Sequence, residues 1–64
     1  MSVTQIRVFE DKIRDLERIV RATEAVYEME KSPQRRTELA KEIGSVQYEI
    51  DRLHEKIENL KSID

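Results

Sequence analysis

The chain is expected to be all-α, an antiparallel two-helix coiled-coil hairpin that dimerises into a four-helix bundle. Two observations carry this expectation. First, seven apolar layers pair across the sequence with residue numbers that always sum to 66: Ile6 with Leu60, Phe9 with Ile57, Ile13 with Leu53, Leu16 with Ile50, Val20 with Val46, Thr23 with Ile43, and Tyr27 with Leu39. Within each half the steps alternate between 3 and 4 residues, the a/d rhythm of a coiled-coil seam. A constant sum requires the halves to run antiparallel about position 33, which holds Pro33, the only proline. Second, there is no cysteine. A domain of 64 residues buries little apolar surface, and with disulfides and thiolate metal sites excluded, oligomerisation or a partner must supply the rest.

Helix 1 is expected over about 3–30, opened by a capping box at Ser2-Val3-Thr4-Gln5, in which Ser2 and Gln5 each satisfy the other's amide. Its a positions are 6, 13, 20 and 27. Helix 2 is expected over about 33–62, with Ser32 as N-cap and Pro33 at the first helical position, where a missing N–H costs nothing. The same proline ends helix 1, because the residue before it disfavours the α region. One continuous helix is excluded by the heptad phase. Helix 2 places a at 43, 50 and 57, hence 36, and the gap of nine from 27 is neither a heptad nor a tolerated insertion. Residues 1–64 are thus read as one helical-hairpin domain.

Charged residues form 41% of the chain with a formal net charge of −2, the mark of solvated helix faces rather than a polybasic or acidic tail. No apolar run reaches the length of a membrane span and no signal-peptide core precedes the first helix, so a cytoplasmic location without membrane contact is expected. Catalysis is not expected. The serines Ser2, Ser32, Ser45 and Ser62 have no base beside them by spacing, one glycine cannot build a phosphate loop, and a hairpin offers no enclosed pocket for a small-molecule substrate. The single histidine, His54, has Asp51 and Glu58 on neighbouring turns, with Glu10 or Glu17 across the seam edge. One His is too few for a helical metal site, so neither metal nor cofactor is expected. Gln47-Tyr48-Glu49-Ile50-Asp51 is similar at three of five positions to the Ser-Gln-Glu-Leu-Asp motif of small hairpin phosphatases acting on sporulation regulators. It lacks the serine of that family, and no role carries over.

Function is therefore sought on the outer faces. Ile19, Ala22, Val26 and Met29 form a second apolar stripe at g and c positions, centred about 110° around helix 1 from the seam, with Val8 on the same line beyond Lys12 and Asp15. Helix 2 cannot cover both stripes, so this one either widens the core or meets a partner, most simply a second copy. The expected function is a small non-catalytic protein–protein interaction module, an adaptor, inhibitor or chaperone-like subunit. The alternative is a dimeric RNA-binding hairpin. Arg7, Arg14, Arg18 and Arg21 line the b/f face over about 21 Å and can track phosphates, with Lys31, Arg35 and Arg36 added by the turn. That arrangement is similar in size and architecture, though not in motif, to the plasmid copy-control hairpins that dimerise and grip RNA. Against it, Glu10–Arg14 and Glu17–Arg21 are expected to pair at i,i+4 and neutralise the stripe.

Overall fold

The computed structural model describes residues 2–63, with only the backbone described for Ser2 and Ile63. Two α-helices, α1 (Ser2–Met29) and α2 (Pro33–Ile63), pack against each other as a hairpin joined by residues 30–32. The capping box expected at the start of α1 depends on the side chain of Ser2 and lies outside the described residues. At 28 and 31 residues the helices run about 42 and 46 Å, which accounts for a rod of 49 × 14 × 10 Å.

The burial pattern follows the seam residue by residue. Ile13, Leu16, Val20, Ile50, Leu53 and Ile57 are buried and form the core, with Ile6, Phe9, Ile43 and Val46 packed against it. Thr23, Tyr27, Leu39 and Leu60, the other seam positions, are half-buried. An ion pair between Lys12 Nζ and Glu49 Oε2 at 3.9 Å joins two g positions, which face each other only when the helices are antiparallel. Burial of this kind contributes on the order of 1.5–3 kcal/mol per fully covered aliphatic side chain, so six such residues dominate the stability.

Thr23 is the polar member of the seven seam layers, and its hydroxyl makes no hydrogen bond among the described residues. It is half-buried in the layer with Ile43. Near this small residue the seam opens into a groove of about 410 Å³ lined by Glu24, Tyr27, Glu28, Ala40 and Ile43.

The turn is built by four side chains. Ser32 caps α2 as expected: its Oγ accepts the Arg35 N–H at 3.4 Å, and its carbonyl accepts the Arg36 N–H at 2.9 Å. Glu30 Oε2 accepts the Ser32 N–H at 3.2 Å. The Thr37 hydroxyl donates to the Pro33 carbonyl at 3.0 Å. Arg36 closes the other side. Its guanidinium donates to the carbonyls of Tyr27 at 3.2 Å and Glu30 at 3.1 Å, and lies over the Tyr27 ring at 4.1 Å from the centroid. The last carbonyls of a helix have no partner within it, and a cation there also meets the negative end of the helix dipole. Glu30 and Arg36, whose numbers also sum to 66, form an eighth, polar layer that is half-buried on both sides. Arg36 thus ties the start of α2 to the end of α1.

Candidate functional site

The stripe singled out on α1 is open. Ile19 is 46% exposed, Val26 49% and Met29 82%, and Ala22 between them is exposed as well. The stripe therefore does not widen the hairpin core. The reason is geometric. A helix can press only one stripe, about 100° wide, against a single neighbour, and α2 is already spent on the a/d seam. Val8 continues the line as an exposed apolar residue, separated from Ile19 by Lys12 and Asp15. On the same side of the hairpin, α2 presents charge: Arg35, Glu42, Glu49 and Lys56 occupy its g positions, all exposed.

The arginine face is less available than its spacing implies. Arg14 Nη1 donates to Asp11 Oδ1 at 3.2 Å and Arg18 Nη1 to Asp15 Oδ1 at 3.4 Å. Of the expected pairs, Glu10–Arg14 gives way to Asp11–Arg14 at i,i+3, Glu17–Arg21 is not formed, and Asp15–Arg18 is a further i,i+3 pair. Side chains on a helix lean toward its N-terminus, so a long arginine laid back over the preceding turn reaches a short carboxylate three residues before it. Arg21 lies along a groove of about 270 Å³ shared with Glu17 and Glu24. Arg7 is exposed. The face therefore alternates sign along its length. Each exposed pair contributes at most about 1 kcal/mol, so none is fixed against competition from a phosphate.

The remaining candidates do not assemble a chemical centre. His54, Asp51 and Glu58 are exposed on α2. Among the described residues no three of His, Cys, Asp and Glu are placed to share a metal ion. Tyr48, exposed at f, accepts a hydrogen bond from Arg52 at 3.2 Å, and that bond holds the guanidinium above its ordinary value. Arg52 is charged in either case, so the contact orders two surface side chains and creates no acid or base. The two grooves along the seam, of about 410 and 270 Å³, are shallow and open to solvent. Gly44 is exposed, and a Cβ built there would meet nothing within 4 Å. Among the described residues, no helix is long and apolar enough to cross a membrane.

Comparison with known proteins adds no second line of argument: no family model, no curated protein and no solved structure matches this chain.

Proposed function

We propose that this hairpin is a small non-catalytic protein–protein interaction module, an adaptor, inhibitor or chaperone-like subunit, that docks a helical partner on the α1 stripe and acts as part of a helical-hairpin oligomer. The observation that carries the reading is the exposure of Ile19, Val26 and Met29 along one line, on a helix whose other apolar face is already covered. Isolated exposed apolar residues are ordinary. A row at 3- and 4-residue spacing on a rigid helix has the geometry that a second helix reads. The core supports the same reading from the energetic side, since among the described residues six are buried and none of them completely.

The RNA-binding alternative has less support. Two of its four arginines, Arg14 and Arg18, are paired with aspartates, and Arg36 is held in the turn. The chain also carries net negative charge.

Affinity capture from the native host tests the proposal, with wild-type hairpin compared against Ile19→Lys/Val26→Lys. A protein retained by the first and lost by the second supports it, because a charge buried without a partner is strongly destabilising to a contact. Identical captured sets with both baits would overturn it. A salt titration of binding to mixed RNA and DNA separates the alternative: phosphate binding must fall linearly with log salt and depend on Arg7, Arg14, Arg18 and Arg21.

A further inference from the structure

We infer that the occupant of the α1 stripe is a second copy of this chain, with the two α1 helices antiparallel about a two-fold axis near residue 24. The inference rests on reading the stripe as a docking surface. It adds who docks there and in which direction.

The choice of helix follows from the two faces on this side of the hairpin. In a symmetric dimer a patch meets either itself or the neighbouring patch of the same surface. Stacking α1 over α2 of the second copy would set Ile19 and Val26 against the charged row Arg35, Glu42 and Glu49. Stacking α1 over α1 sets apolar on apolar. Pairs whose numbers sum to 48 then meet, Ile19 with Met29 and Ala22 with Val26. Each pair sets one larger side chain against one smaller or more flexible one, as close helix packing requires.

The direction follows from Lys12 and Asp15, which lie on the same line as the stripe. A parallel, in-register pair would bring Lys12 onto Lys12 and Asp15 onto Asp15, two like-charge contacts at the edge of the apolar patch. The antiparallel pair carries Asp15 instead to the turn of the second copy. The seam register sets Arg35 level with residue 31 of its own α1. Under the 48 rule it therefore lies level with residue 17 of the other copy, about 3 Å along the axis from Asp15. Lys31 arrives at the same level. Asp15 is exposed and held only by a 3.4 Å contact to Arg18, so it can turn to meet both cations. The sign pattern thus opposes the parallel dimer and favours the antiparallel one at both ends of the patch.

The absence of native cysteine makes the test direct. Ile19→Cys and Met29→Cys, both at exposed positions, are mixed in equal amounts in a glutathione redox buffer and the disulfide dimers are separated. The antiparallel pairing predicts that the mixed 19–29 dimer dominates. Each homodimer would have to bridge about 15 Å along the axis, far beyond the roughly 4.4–6.8 Å between Cα atoms that a disulfide allows. Predominance of the two homodimers would overturn the direction. Sedimentation equilibrium of the wild-type chain must show a monomer–dimer equilibrium that Ile19→Lys weakens by about 100-fold or more. A wild-type chain that remains monomeric from micromolar to millimolar concentration overturns self-pairing. The docking reading would then still stand or fall separately on the captured partner that Ile19→Lys/Val26→Lys loses.

Discussion

Replacing Arg36 by alanine should destabilise the hairpin far more than an ordinary change in a turn. The wild-type guanidinium bonds two carbonyls at the end of α1, at 3.2 and 3.1 Å, from a residue that belongs to α2. It also lies 4.1 Å above the Tyr27 ring. Hydrogen bonds from a charged donor contribute about 1.5–3 kcal/mol when sheltered, and a cation over an aromatic face about 0.5–1 kcal/mol at an exposed site. One nitrogen, Nη1, makes both bonds and Arg36 is only half-buried, so the two bonds together contribute about 1.5 kcal/mol and the total with the ring is about 2 kcal/mol. In a domain of this size 1 kcal/mol moves the midpoint by roughly 4–8 °C, so Arg36→Ala should lower it by about 10 °C. Arg36→Lys should fall between the two, because an ammonium keeps the charge and can donate to a carbonyl but sits on a shorter arm and has no flat face to lay over the Tyr27 ring. Circular dichroism melts report the change, with all variants held at one protein concentration because the proposed self-association would make the midpoint concentration-dependent. An Arg36→Ala midpoint within about 2 °C of wild type would refute the clamp and show that water satisfies the end of α1 equally well.

Other outcomes follow from the same geometry. Gly44→Ala should stabilise the chain by about 1 kcal/mol, since the new methyl meets nothing and glycine is a poor helix former; a lowered urea midpoint would mean that another backbone approaches there. Thr23→Val should raise stability by about 1 kcal/mol by putting a methyl of the same shape in place of a half-buried hydroxyl, whereas a clear loss would mean that the hydroxyl sets register or faces a polar partner. Cysteines at Ile13 and Leu53 should crosslink within one chain while cysteines at Ile13 and Ile43 do not, as judged by sizing the oxidised product; efficient crosslinking of the second pair alone would displace the register.

The hairpin was legible because its cause is one-dimensional. Heptad spacing is a property of a single helix, and the sum rule is a property of two such patterns about one proline, so all fourteen seam positions came from sequence and all are buried or half-buried. The helix ends were read to within about a residue because Ser32 and Pro33 act on their immediate neighbours. The second stripe was visible for the same reason, although its exposure was not, since that depends on α2 being already engaged along the seam.

What tertiary structure alone decided lies at points where a side chain has more than one partner within reach. Arg36 was counted as a surface cation of the turn. Only the return of α2 places its guanidinium against the end of α1, and the signal that pointed there was its a position, the eighth layer with Glu30. Arg14 had Glu10 or Asp11 available, and the backward lean of helical side chains selected Asp11. Backbone periodicity is determined locally and strongly, because a one-residue slip would expose every core residue at once. The choice among nearly equal polar partners is determined weakly, by about 1 kcal/mol or less, and waits on the packed neighbour to decide it.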